Sequence, residues 1–151
     1  AFVQGAGGTA SDAVGEPTTA EPTMKLYPGV ITEKLAASRD FYRDVFGFTV
    51  KFENDWFVLV HAPGSPEHEI GFLKPGLESQ NPVFRGAYTG QGLWIALPVP
   101  DVDAEYARVK ALGIPVTVLV EPRDEEWGER HFTVLDPNGI DIDVVRYQAA
   151  A

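Results

Sequence analysis

The chain contains no cysteine among its 151 residues, so disulfides, thiolate metal ligands and a cysteine nucleophile are all excluded. That absence fits a reducing compartment, and a cytoplasmic location is the expectation. Basic residues are scarce: 12 Lys and Arg stand against 22 Asp and Glu, for a net charge of −10. Nucleic acid, whose phosphates need Lys and Arg, is therefore not an expected partner. Solubility and the attraction of cationic ligands are favoured instead. No apolar run reaches the roughly 18 residues of a membrane span, so no membrane partner is expected. No serine occupies a Gly-x-Ser-x-Gly elbow. Gly5-Ala6-Gly7-Gly8 follows no strand that would make it a phosphate loop.

Large apolar residues are also missing from Ala1 to Thr23, where only Phe2, Val3 and Val14 interrupt Gly, Ala, Thr, Pro and Glu. Such a segment cannot offset its own ordering entropy, and it lacks the basic start and apolar stretch of a secretory signal. The single methionine, Met24, precedes the first strand-like run. Residues 1–23 are therefore expected to be a flexible leader or an artificial remnant, with Met24 as the natural start; a native extension that docks on a partner is the alternative.

From Met24 onward the chain is long enough for one domain with an ordinary core, and it reads as one unit written twice. Lys25–Ile31 is strand-like, and Leu35–Phe46 carries helical spacing up to Gly47, a helix stop. Phe48–Glu53, Trp56–His61 and Glu69–Leu73 are strand candidates, with turns at Asn54-Asp55 and Pro63-Gly64-Ser65-Pro66. A linker over 76–91 leads to a second strand at Leu93–Val99. A helix comes next at Val102–Leu112, stopped by Gly113, and then strands at Val116–Val120, His131–Leu135 and Ile140–Val145. The two glycine stops lie about 66 residues apart, so the whole supersecondary unit repeats. One such unit has too small a core, and two should pair into one domain over 24–148, as modules 25–75 and 92–147.

The last two strands are joined by Asp136-Pro137-Asn138-Gly139, where proline presets φ and Asn-Gly tolerates positive φ. Alternation puts Ile140, Ile142 and Val144 on one face and Asp141, Asp143 and Val145 on the other. The hairpin thus shows carboxylates to a concave or solvated surface.

Three stretches together carry a resemblance. Ser38-Arg39-Asp40-Phe41-Tyr42 through Gly47-Phe48, then Asp101-Val102-Asp103-Ala104 through Ala111-Leu112-Gly113, then Asp136-Pro137-Asn138-Gly139 stand in order over residues 25–147. The pattern resembles the vicinal oxygen chelate superfamily of glyoxalases, extradiol dioxygenases and bleomycin-resistance proteins. The resemblance implies an α+β fold of two paired βαβββ modules forming a cupped mixed sheet, often with a dimer completing the site. Metal-dependent members draw His and Glu from four strand positions. These correspond here to Tyr27, Gly71 (with Glu69 two residues earlier on the same face), Trp94 and Asp143. Only Asp143, or Glu69 with Asp143, could act as a ligand, and neither choice makes a cage. The chain is therefore similar to a metal-free, bleomycin-resistance-like branch, with no cofactor and no metal expected.

Aromatic residues at two ligand positions suit a planar or apolar ligand. The expected ligand-binding set is Tyr27, Trp56, Glu69, Trp94, Trp127, Arg130 and Asp143, with no catalytic residue. Tyr27 and Trp94 are equally ordinary strand aromatics. Trp127, in a charged loop, is either a lid over a ligand or a plug in its own module; bleomycin-resistance proteins show a similar Trp-Gly-x-Arg-x-Phe segment near their cleft. Of Arg130 and His131, alternation lets one face the cup, and Arg130 could instead pair with local acids. Trp56 and Phe57 should split between core and cup. His61 and His68 read as ordinary polar histidines, and Ser38 as a residue that caps or begins a helix. The implied function is non-catalytic sequestration of a cationic or aromatic small molecule such as an antibiotic, by a homodimer. The alternatives are a glyoxalase-like lyase or isomerase or a dioxygenase-type enzyme with an atypical metal site, using Asp143 and Glu69 as acid and base, and a degenerate member whose cup is filled by its own side chains.

Overall fold

The computed structural model describes residues 24–148, so the expected leader lies outside the described residues. Gly29–Ile31 (β1), Leu35–Phe46 (α1), Thr49–Glu53 (β2), Phe57–Ala62 (β3) and Ser65–Leu73 (β4) form the first module. Trp94–Pro98 (β5), Val102–Ala111 (α2), Thr117–Glu125 (β6), Glu129–Leu135 (β7) and Asp141–Tyr147 (β8) form the second. Each is a four-stranded mixed sheet, in the orders β1-β4-β3-β2 and β5-β8-β7-β6, with one parallel edge pair apiece. The duplication and the α+β class read from the sequence are thus observed, as two sheets rather than one.

Local chemistry explains the boundaries. The first strand is shorter than expected because Pro28 offers no N–H to the ladder; its carbonyl accepts from Gly71 N instead, and pairing starts at Gly29. Gly47, at φ 75°, closes α1 by donating to Arg43 and Tyr42 carbonyls. Asp101 caps α2, its carboxylate accepting from Ala104 N. Ser38 is no cap: it lies inside α1, buried, with its Oγ accepting from Asn138. β4 begins four residues before the sequence suggests, at Ser65, and so takes in His68. β6 likewise runs on through Arg123-Asp124-Glu125, which reads from sequence as a charged loop. Within the linker, Pro82–Phe84 forms a single 3₁₀ turn with Asn81 as its cap.

The core lies where the two helices meet the inner faces of both sheets. Tyr42 packs on Phe72 and Phe48, and Tyr106 on Phe132, with ring centroids 5.1–5.5 Å apart. Val58, Val60 and Ile70 complete the inner face of the first sheet, and Val134, Ile142 and Val144 that of the second. Fully burying a side chain of this size contributes about 1.5–3 kcal/mol. Polar contacts tie the modules at the same level. Tyr42 Oη donates to Asp136 at 2.8 Å, Thr32 Oγ1 to Asn138 at 2.6 Å, and Arg108 to the Val45 carbonyl at 2.6 Å. With the helices inside, the opposite, outer face of each sheet remains for other business.

Candidate functional site

Cross-strand register fixes which side chains share each outer face. In the first sheet Glu69 lies opposite His61, and Gly71 opposite Leu59. A Cβ on Gly71 would meet Phe57 Cζ at 3.0 Å and Tyr27 Cε2 at 3.1 Å, so two aromatic rings close over the one residue that leaves them room. Phe52 and Trp56 extend this aromatic surface, their centroids 6.3 and 6.1 Å from that of Phe57. Trp56 stands before β3, outside its alternation, so neither Trp56 nor Phe57 enters the core, contrary to the split expected from sequence.

Glu69 is buried beside this surface, with Lys25 Nζ at 2.5 Å and Lys51 Nζ at 2.8 Å. Hydrogen bonds from Lys25 and then Lys51 hold its carboxyl below the usual range, and outweigh the burial that would raise it. It is a clamped anion, not a free acid or base.

On the second sheet, Trp94 lies opposite Asp141 and Ala96 opposite Asp143, which in turn faces Thr133. His131 Nδ1 is 2.6 Å from Asp143 Oδ1, and Thr133 Oγ1 donates to the same oxygen at 3.2 Å. Glu129 Oε1 stands 3.7 Å from His131 Nδ1, and Glu125 Oε2 3.5 Å from Nε2. This group is largely buried: His131 keeps 9% of its surface, while Trp94 and Trp127 keep 66% and 69%. Trp127 is therefore not a plug in its own module.

Arg130 points to the other side, toward α2, where Asp103 takes its guanidinium at 2.8 Å and Asp124 at 3.2 Å. Those two carboxylates raise its pKa further and leave it no part in the outer face. Of the pair that alternation offered, His131 is the one on the outer face. From the sequence, Glu125 and Glu129 read only as local acids for Arg130, Phe57 only as one of a pair split between core and cup, and Phe52 only as a strand residue. Spacing of two between Glu129, His131 and Thr133 was the signal that could have found the cluster once β7 was extended to 129.

The expected residues thus fall into two groups. Tyr27, Trp56 and Glu69 belong to the first module, and Trp94, Trp127 and Asp143 to the second. Among the described residues, no hydrogen bond, ion pair or ring contact joins one group to the other. The four positions that the resemblance assigns to metal ligands do not fit an ion: Gly71 has no side chain, Tyr27 covers it, Glu69 is held by lysines, and Trp94 offers no donor. A separate cleft of about 680 Å³ runs between the modules, lined largely by apolar groups including Phe46, Phe48, Ile95 and Leu97. Of the expected residues it reaches only Glu69.

A family model for the Glyoxalase/Bleomycin resistance protein/Dioxygenase superfamily matches residues 25–144. A bleomycin resistance protein of Geobacillus stearothermophilus is 29% identical over 122 residues, covering 76% of this chain and 90% of that protein. Among solved structures, a glyoxalase/bleomycin resistance protein/dioxygenase from Nocardioides superposes with a TM-score of 0.67 at 20% identity, covering 94% of this chain and 92% of that one. An antibiotic binding protein from Streptomyces sp. CB03234 does so with a TM-score of 0.63 at 22% identity, covering 84% and 98%.

Proposed function

The chain belongs to the Glyoxalase/Bleomycin resistance protein/Dioxygenase superfamily, and on that premise we propose that it binds and sequesters a small molecule with an aromatic or cationic body, of the antibiotic class. One observation carries this reading: four aromatic side chains at expected ligand positions, Tyr27, Trp56, Trp94 and Trp127, remain 42–69% open on the outer faces. A monomer gains nothing by exposing so much ring surface, whereas a planar ligand gains stacking from it. The carboxylates around Asp143 add attraction for a cation, and each cation–aromatic contact contributes about 0.5–2 kcal/mol. The names borne by the Geobacillus and Streptomyces proteins point the same way.

The two faces act together in a homodimer, the first module of one protomer meeting the second module of its partner. Exposed sheet edges and the open Val83 and Phe84 of the linker supply contact surface for that pairing. A second reading, a glyoxalase-like or dioxygenase-type enzyme with an atypical metal site, is favoured by one observation: the cluster of Glu129, His131 and Asp143.

The test is a titration of the full chain with bleomycin and a panel of cationic aromatic antibiotics. It is run in chelator, follows tryptophan fluorescence, and recovers the ligand for mass analysis. Saturable quenching with the ligand returned intact is expected. No quenching by any compound removes the binding reading, and a chemically altered ligand replaces sequestration by catalysis.

A further inference from the structure

Beyond drawing a cationic ligand, the cluster around Asp143 in the second module has the makings of a site of its own. Glu129, His131 and Asp143 each offer a donor atom, and the three atoms lie within 4.8 Å of one another. Their side chains are only 11–17% exposed. Glu125 adds a third carboxylate, 13% exposed, and Arg123 Nε at 2.6 Å from its Oε1 is the one arginine in the group. Three carboxylates against one arginine leave a partly buried excess of negative charge, which favours a bound cation.

The imidazole gives an independent sign. His131 Nδ1 sits 2.6 Å from Asp143, so a neutral ring carries its proton there. Its Nε2 is buried with no hydrogen-bond partner, and the nearest charged oxygen, Glu125 Oε2, is 3.5 Å away. A lone pair facing a carboxylate is a poor arrangement. If Nδ1 instead gives its lone pair to a cation, the ring proton moves to Nε2 and points at Glu125. That is the imidazole–carboxylate arrangement that orients metal-bound histidines.

We propose that Glu129, His131 and Asp143 bind one divalent first-row transition-metal ion, with Glu125 as the carboxylate behind the imidazole. Bonds of about 2.0–2.2 Å to such an ion put neighbouring donors roughly 3–3.5 Å apart. The observed separations from His131 Nδ1, 2.6 Å to Asp143 and 3.7 Å to Glu129, bracket that range. One nitrogen with two carboxylates suits zinc, cobalt, nickel or manganese, whereas calcium and magnesium prefer all-oxygen shells. The site differs from the family's four positions, sharing only Asp143 with them. Its residues all lie on β6, β7 and β8, so it needs neither the first module nor a partner chain.

The experiment uses the full chain stripped with chelator and dialysed. Zinc is added by calorimetry and cobalt by visible absorption, with no organic ligand present; failure here leaves the antibiotic titration in chelator untouched, and the reverse. One ion per chain is expected. His131→Gln and Glu129→Gln should each lose at least tenfold in affinity, and Glu125→Gln about 10–100-fold. Glu67→Gln, an exposed acid elsewhere, should change nothing. Should a variant misfold, imidazole resonances of the native chain decide: cobalt should perturb His131 and spare His61 and His68. Absence of uptake below about 100 μM, uptake unaffected by His131→Gln in a folded variant, or perturbation of another histidine would overturn the assignment.

Discussion

Asp136 shows how much one side chain can fix. Its carboxylate accepts from Tyr42 Oη across the modules and from the backbone N–H of Asn138 and Ile140 in its own turn. Asp136→Ala leaves three donors without an acceptor, at about 1–3 kcal/mol for each that stays buried. Urea unfolding should therefore lose at least about 3 kcal/mol, against about 1 kcal/mol for Tyr42→Phe, which removes one donor and leaves Asp136 its backbone donors, Asn138 and Ile140. Equal losses would mean that Asp136 acts only through the phenol. Glu69 makes a pH prediction of defined sign. Because Lys25 and Lys51 lower its folded pKa, its contribution is complete above the unfolded value and disappears as acid protonates it. Stability should fall from about pH 5 downward, and Glu69→Gln should flatten that limb. An acid limb unchanged in the variant would show that the clamp contributes nothing.

At the scale of elements, the β6–β7 hairpin is the piece that sequence and structure describe differently. Its tip carries Trp127, 69% exposed, beside Gly128 at φ 89°. Trp127→Ala should leave the melting temperature within a degree or two, because little buried surface is lost, yet weaken an aromatic ligand about fivefold or more. A large drop in melting temperature would return the indole to a structural role. The helices were legible because their apolar spacing and glycine stops are local signals, and Ile140, Ile142 and Val144 are all fully buried, as alternation required. β6 was not legible beyond Val120. Glu121, Arg123 and Asp124 are charged because they lie on a solvated stretch of strand, and charge reads as loop when the pairing partner is unknown. The choice between Arg130 and His131 rests on register with β8, where His131 falls opposite Val145 and Thr133 opposite Asp143. Pairwise register is a long-range quantity that no window of sequence contains. The gathering of Glu125 and Glu129 around His131 was hidden for the same reason.

At the scale of the whole molecule, the proposed binding reading requires two outer faces to act as one site. Both helices occupy the centre, so Tyr27 and Phe57 on the first sheet are not joined to Trp94 and Asp143 on the second within the chain. A homodimer that sets the first module of one protomer against the second of its partner would join them twice. Sedimentation at micromolar concentration should then report a dimer. Subunit mixing makes a sharper test. Phe57→Ala damages the first face and Trp94→Ala the second, and each homodimer should lose most of its ligand affinity. In a mixed dimer, one of the two composite sites carries both mutations and the other carries none. Mixing the two variants should therefore restore one tight site for each mixed dimer formed. If each chain instead bound its ligand alone, every protomer would still carry one damaged face, and mixing would restore nothing.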